Sequence, residues 1–439
     1  MNPIAEELNG VIQNTNSNIY DMLSNKGKQL YFPRGILSQG AEAKEKAYRY
    51  NATIGIATEG GVPMHLSSIM SSINIDPEHS LNYAPSFGVL KLRQTWRTHI
   101  YNKNPSLSGK AISLPIVTNG ITHGLSVSAD MWIDEDDTIL LPDKIWGNYN
   151  LIFEILHGAK IRQYPLFSSQ GGFNLNVFED ALQKQAHDTK KIVVLLNFPN
   201  NPTGYTPTVS EGKRIHEILV TLAEKGNNVL VLTDDAYFGL FYDDTCMKES
   251  LFALLTGAHP RIMTIKLDGA TKETYVWGLR VGFITYGIST NGNPSDAYDA
   301  LEKKTAGAVR GSISNDSHLS QSIVLDALSS ENYPKEKEEK FGVMLQRVRR
   351  VKEVLAKEKY ANVWGVYPFN SGYFMCLELK TVNPEALRVH LLDKYGVGVI
   401  SLGKSDIRVA FSCVEEGDIA ELFDIIYQGI KDLEKVSDH

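Results

Sequence analysis

A chain of 439 residues is too long for one small core and points to about two domains. Apolar residues at 43% and charged residues at 22% are ordinary for a globular protein, and a net charge of −7 argues against non-specific nucleic-acid binding, which relies on Lys and Arg at phosphates. Cys246, Cys376 and Cys413 lie far apart with no Cys-x-x-Cys pair, which indicates neither a disulfide framework nor a zinc site and fits a reducing, cytoplasmic compartment.

Read in chain order, the N-terminus MNPIAEELNGVIQ lacks a basic start followed by an apolar run and is not a secretory signal. The strongest apolar runs, 192–196 and 229–232, are strand-length, well short of the ~20 residues of a membrane helix. Short apolar runs at 139–141, 192–196, 229–233, 262–265 and 281–285 predict strands. The periodic stretch 209–224 predicts a helix between two of them, with Ser210 as its N-cap. Such alternation implies a mostly parallel sheet covered by helices, with ligands bound outside the carboxyl ends of the strands. Further on, the charged, amphipathic stretch 333–359 predicts one long helix with Pro334 at its start; strands at 373–379 and 407–411 and a last helix at 419–435 suit a smaller α+β domain.

Three segments following predicted strands carry candidate chemistry. Asn197-Phe-Pro-Asn-Asn-Pro-Thr-Gly204 is a rigid turn whose amides can point at a bound ring, or an ordinary Asn-Pro turn. Thr233-Asp-Asp-Ala-Tyr237 ends the next strand. Its two carboxylates could serve a metal, acid–base chemistry or a solvated turn, although successive strand residues face opposite sides and Asp234 and Asp235 would not act together. Lys272 lies in a glycine-containing loop just past a strand, with Arg280 eight residues on. A lysine of lowered pKa can be a Schiff-base nucleophile and an arginine fork suits a phosphate, but most lysines are plain surface groups. Lys266 competes, yet it sits inside the strand and lacks the arginine spacing.

Taken together, Asn-Pro-Thr-Gly, Asp-x-Ala-Tyr and Lys-x7-Arg-x-Gly, each after a strand and in this order, resemble the fold-type-I class I/II aminotransferases, nearest to the aspartate/aromatic branch. The resemblance extends along nearly the whole chain. It implies an α/β fold: a large domain at 63–332 with a mostly parallel, seven-stranded-type sheet flanked by helices, an arm at 1–62 that contributes to the small domain, and a C-terminal small α+β domain at 333–439. It also implies pyridoxal 5′-phosphate as cofactor. Lys272 would be the Schiff-base lysine and proton shuttle, and Asp234 the partner of the ring nitrogen. Tyr237 and Asn201 would donate to the ring oxygen, Trp146 would stack on the ring, and Arg280 would hold the phosphate. Thr118-Asn-Gly-Ile-Thr-His-Gly124 resembles the phosphate-cup loop, which places Gly120, Ile121 and Thr122 at the phosphate where a helix opens. Tyr83, in Tyr83-Ala-Pro-Ser-Phe-Gly88, would reach the phosphate of the partner subunit. Arg310, in Arg310-Gly-Ser-Ile-Ser-Asn315, would reach the partner's substrate, and Arg408 would grip the substrate α-carboxylate beside Asn201 and Trp146. The expected assembly is a homodimer with composite sites, acting on amino acids and 2-oxo acids, with no nucleic-acid or membrane partner.

Three departures from the family pattern stand out. Gly269 replaces a common serine, leaving a phosphate hydrogen bond missing or replaced, for example by Thr271. Tyr149 replaces the histidine that supports the ring-nitrogen aspartate. Asp-Ser-His at 316–318 replaces the prolines after Asn315. The expected activity is amino-group transfer from an L-amino acid, aspartate, glutamate or aromatic, to a 2-oxo acid such as 2-oxoglutarate. The alternative is a carbon–sulfur β-lyase on the same cofactor residues. A regulator fused to a DNA-binding module is disfavoured, because only about 60 non-basic residues precede the large domain.

Overall fold

Between residues 116 and 288, runs rich in leucine and β-branched residues, together with one polar edge segment, fold as strands of one seven-stranded sheet: β1 (Ile116–Asn119), β2 (Thr138–Pro142), β3 (Lys160–Tyr164), β4 (Lys191–Asn197), β5 (Asn228–Asp234), β6 (Ile262–Gly269) and β7 (Val281–Ile288). The computed structural model describes residues 1–32, 35–289 and 294–437. Its order is β1-β7-β6-β5-β4-β2-β3. Neighbours are parallel except β7, which runs antiparallel to both β1 and β6. Alternate residues serve opposite faces: Val193 and Leu195 join the larger apolar core, while Ile192, Val194 and Leu196 join a second one. Burial on both faces explains why β4 reads as an unbroken apolar run rather than an alternation.

The helices used below are α1 (Ile36–Lys46), α2 (Leu90–Lys103), α3 (Gly120–Trp132), α4 (Val209–Glu224), α5 (Ala270–Glu273), α6 (Ser295–Ser312), α7 (Tyr333–Leu355) and α8 (Ile419–Ser437). The N-cap of α4 is Thr208, not Ser210. Thr208 accepts from the Glu211 amide and the Glu211 carboxylate returns to the Thr208 amide, a reciprocal cap that needs the three-residue spacing Ser210 lacks. The helix expected to reach residue 359 ends at Leu355 and is followed by a single turn at Glu358–Tyr360. Strands β6 and β7 run on to Gly269 and Ile288, beyond the expected ends, paired with each other from Gly282 opposite Gly269 to Ile288 opposite Met263, and on β6 Lys266 and Asp268 are carried inside as part of a buried ion-pair group. Strands β1 and β3 were not expected: β1 is only four residues, and β3 (KIRQY) is polar along a sheet edge.

After α7 comes a four-stranded antiparallel sheet of β8 (Trp364–Val366), β9 (Phe374–Leu379), β10 (Ile400–Leu402) and β11 (Asp406–Ala410), in the order β8-β9-β11-β10. Near the front of the chain, Tyr50–Asn51 pairs in parallel with Val397–Gly398. Helix α1 is held to this C-terminal sheet. Gln39 exchanges hydrogen bonds with the Ser401 backbone (2.8 and 3.2 Å), and Arg388 reaches Glu42 at 2.9 Å. Among the described residues no helix is long and apolar enough to cross a membrane.

Candidate active site

The register of the large sheet brings Asn119, Asn197, Asp234, Gly269 and Val281 to the same end, the carboxyl end of its parallel strands. A cavity of about 640 Å³ opens there, between that sheet end, α1 and the C-terminal sheet. Lys272, Asp234, Asn201, Arg280 and Arg408 all line it, although up to 207 residues separate Asn201 from Arg408.

Lys272 stands on α5, the single turn after β6, with Nζ 5.2 Å from the centre of the Tyr237 ring; its backbone carbonyl accepts from the Tyr373 hydroxyl at 3.0 Å. Enclosure by the cavity walls pushes its ammonium pKa down to about 8; Arg280 pushes the same way and Asp234 opposes. Lys266 has a different fate. It is fully buried away from the cavity, ion-paired with Asp235 and 3.4 Å from Asp268.

The two adjacent aspartates divide in the same manner. Asp235 accepts from Ser250 Oγ at 2.6 Å and pairs with Lys266, on the far side of the strand. Asp234 faces the cavity, held by the Tyr149 hydroxyl (2.6 Å) and the Ala236 amide (3.1 Å). Burial raises its pKa to about 6, against the lowering pull of the Tyr149 hydrogen bond and of Lys272. Tyr149, which departs from the family histidine, thus supplies the donor that supports this carboxylate. The Asp234 backbone carbonyl accepts from Asn197 Nδ2 at 2.9 Å, and Asn197 Oδ1 in turn accepts from the Asn201 amide at 2.8 Å, so the Asn-Pro turn and the Asp-x-Ala-Tyr segment are one hydrogen-bonded unit.

Gly120 opens α3 at φ +72°, and a side chain there would collide with the Arg280 guanidinium. Ile121 and Thr122 follow it along the cavity wall. Gly269 has a steric reason to be glycine: an added Cβ would lie 2.6 Å from the Val281 carbonyl across the β6–β7 pair. No serine fits there, and the nearby Thr271 Oγ1 is buried without a partner among the described residues.

Arg408, buried on β11, lies over Phe374 with its guanidinium 4.1 Å from the ring centre. Nη1 donates to Asn201 Oδ1 (3.1 Å), Nη2 donates to the Thr53 carbonyl (2.9 Å), and Nε has no partner among the described residues. Trp146 meets Tyr149 edge-on at 5.6 Å. Tyr83 and Arg310 do not line the cavity of their own chain: Tyr83 is 93% exposed, and Arg310, at the end of α6, donates to Ser314 Oγ at 2.7 Å. The sequence reading missed the roof, to which Ile36, Gly40 and Lys44 of the α1 region contribute, and the Thr53–Gly55 wall. No motif marks either, because their place depends on contacts hundreds of residues away.

The family model for "Aminotransferase class I and II" matches residues 69–426. The chain belongs to that family. This class I/II aminotransferase is 24% identical over 350 residues to an aspartate aminotransferase of Sulfurisphaera tokodaii, covering 77% of this chain and 80% of that one. It is 31% identical over 211 residues to a probable N-acetyl-LL-diaminopimelate aminotransferase of Bacillus subtilis, 47% of this chain but only 48% of that relative. Among solved structures, an aminotransferase from Anaerococcus prevotii superposes with a TM-score of 0.81 at 23% identity, over 93% and 99% of the two chains. The cytoplasmic aspartate aminotransferase of Saccharomyces cerevisiae gives 0.77 at 18%, over 95% and 99%. The aminotransferase has the fold expected of it, a large, mostly parallel sheet flanked by helices with a smaller α+β part.

Class I/II aminotransferases depend on pyridoxal 5′-phosphate. The cavity fits that group. Its open donors are the unpartnered Thr271 hydroxyl, the α3 N-terminus at Gly120 and the Arg280 fork, a set suited to a phosphate, and the same cavity holds the Asp234 carboxyl, of raised pKa, and the Lys272 amine, of lowered pKa.

Proposed function

We propose that this chain transfers amino groups between L-amino acids and 2-oxo acids with pyridoxal 5′-phosphate held in this cavity. The convergence of Lys272, Asp234, Arg280 and Arg408 on one cavity carries the reading. Gly120, Ile121, Thr122, Thr271 and Arg280 would hold the phosphate, Trp146 the ring face, Asp234 the ring nitrogen, and Tyr237 with Asn201 the ring oxygen. When bound, the cofactor supplies the electron sink for charge developing at the substrate carbon. Lys272 Nζ, whose pKa the cavity lowers to about 8, would hold the cofactor at its aldehyde carbon and would carry the Cα proton as base and then acid. Arg408 binds the α-carboxylate through its free Nε edge, and its bond to Asn201 Oδ1 leaves the Asn201 amide hydrogens for the ligand.

We take residues 63–332 as the cofactor-binding domain, with 1–62 and 333–439 forming the remainder. The assembly is a two-fold homodimer in which Tyr83 and Arg310 act at the partner's site, and their exposure in the single chain supports this. The cytoplasm is the proposed compartment, supported by three free cysteines. Aspartate, glutamate or an aromatic amino acid is the proposed donor and 2-oxoglutarate the acceptor. The test is a single-turnover screen in which the cofactor-loaded protein meets each amino acid and the released 2-oxo acid is identified. Pyruvate and ammonia from a cysteine conjugate, with no amino transfer, would point to the β-lyase instead.

Two substitutions separate the roles. Arg408→Ala should weaken all amino acids alike. Arg310→Ala should weaken aspartate and glutamate by ~2–4 kcal/mol, as when one partner of a desolvated charge pair is lost, and leave phenylalanine nearly unchanged. Measured kcat/KM values falling equally for aspartate and phenylalanine would end the dicarboxylate assignment. Tyr149→Phe removes a hydrogen bond that lowers the Asp234 pKa. That pKa should therefore rise, and the acid limb of the pH–rate profile should move upward while the folded yield is kept; an unmoved limb would detach Tyr149 from Asp234.

A further inference from the structure

A second cavity, of about 670 Å³, lies on the other side of the Lys272 turn, between α2 and α7. The Lys337 ammonium and the His99 imidazole line it, and both turn to one carboxylate oxygen, Glu273 Oε1, at 2.7 and 3.3 Å; Lys103 pairs with the same oxygen. Two lysine amines and an imidazole thus share a single acceptor, and burial drives the Lys103 pKa well below the ordinary lysine value. Lys266 beyond them is already matched by Asp235 and Asp268, and Glu338 stands at the solvent rim. Partial burial lowers the Lys337 pKa to about 8, while the side chain keeps an exposed edge. The Tyr333 hydroxyl, on a residue that also lines this cavity, is buried with no partner among the described residues. Leu328, Pro334 and Phe341 give the wall an apolar part, and Thr95, Thr98 and Asn102 of α2 give it a polar one.

We propose that this cavity is a second ligand site, for a small carboxylic acid with an aromatic or branched body. The carboxylate takes the unused donor hydrogens of Lys337 and the hydroxyl of Tyr333, and the body packs on Leu328, Pro334 and Phe341. An ammonium has three donors, so Lys337 can keep Glu273 and accept a second carboxylate at once. The volume is within the ordinary range for small-molecule pockets. Glu273 follows Lys272 directly on α5, and Gly239, in the wall, lies two residues past Tyr237. Occupancy is therefore felt next to the active site, a consequence that rests on the function proposed above; the binding itself does not.

Calorimetric titration of the cofactor-loaded protein with 3-phenylpropionate tests the site, because binding is read without turnover. This acid also fits a site built around Arg408, so Arg408→Met is titrated in parallel. One binding event should persist in Arg408→Met and weaken about tenfold or more in Lys337→Met, the loss of one charge-assisted hydrogen bond. Thr98→Trp, which fills the cavity from an exposed position without touching the buried ion pairs, should abolish the same event even if Lys337→Met does not fold. The uncharged 3-phenylpropanol should bind at least tenfold more weakly. Binding that vanishes in Arg408→Met and is indifferent to Lys337→Met or Thr98→Trp, or no binding in the wild type, would overturn the proposal.

Discussion

Lys272→Ala is expected to abolish covalent cofactor capture and to lower turnover by more than the ~10²–10⁴-fold that a positioned acid–base group contributes alone. On the function proposed above, two functions would rest on one amine, attachment and proton transfer; Lys44, the other lysine lining the cavity, stands on α1 in its roof. Lys266 is the nearest in sequence, but its ammonium is locked to Asp235 and Asp268 in the interior. Borohydride reduction of the loaded protein followed by peptide mapping should place the label on Lys272; label on Lys266 would refute the assignment. The pH dependence has a definite sign. The cavity holds the Lys272 pKa at about 8, below the ordinary lysine value, so capture of an aldehyde should accelerate as pH rises through 8 and level off above it. An amine at its ordinary value would keep accelerating to about pH 10.

The second large effect separates two neighbours in the chain. Asp235→Ala should destabilise the fold by ~3–5 kcal/mol, because it leaves the buried Lys266 ammonium without its nearest counter-charge. Asp234→Ala should change stability far less. The carboxylate it removes carries its own burial penalty, visible in a pKa raised to about 6, and loses only the Tyr149 and Ala236 hydrogen bonds. Activity should show the reverse order. In the role proposed for it, Asp234→Ala would forfeit a charge-assisted hydrogen bond to the ring nitrogen, worth ~1.5–3 kcal/mol in stability terms and more in a dry site. Denaturant midpoints and kcat for the two proteins decide the matter. A dead but stable Asp235→Ala enzyme beside an active Asp234→Ala would reverse the roles.

The alternation of the middle strands was legible in the sequence because β4, β5 and β6 are buried on both faces and announce themselves as apolar runs. The motifs at 197–204, 233–237 and 268–282 were legible because each is local and follows a strand. The short β1 and the edge strand β3 were not, since neither needs a long apolar run. The roof formed by α1, and the Thr53 carbonyl that fixes Arg408, were invisible for a different reason. They reach the site through Gln39–Ser401 and Arg408–Thr53 contacts spanning more than 350 residues, which no local pattern encodes. The sequence marked Gly269 and Tyr149 as departures without explaining them. The explanation needed coordinates: a backbone too close for any Cβ in one case, a phenol aimed at a carboxylate in the other.

Helix α1 covers the mouth of the cavity, yet its tethers run to Ser401 and Arg388, on the same C-terminal body that carries Arg408 on β11. Door and latch are therefore one piece. If Arg408 seats a carboxylate as proposed, any shift of that body would swing the door by the same rotation. A molecule with an amine but no carboxylate would offer the latch nothing to catch, and would leave the chamber open to water.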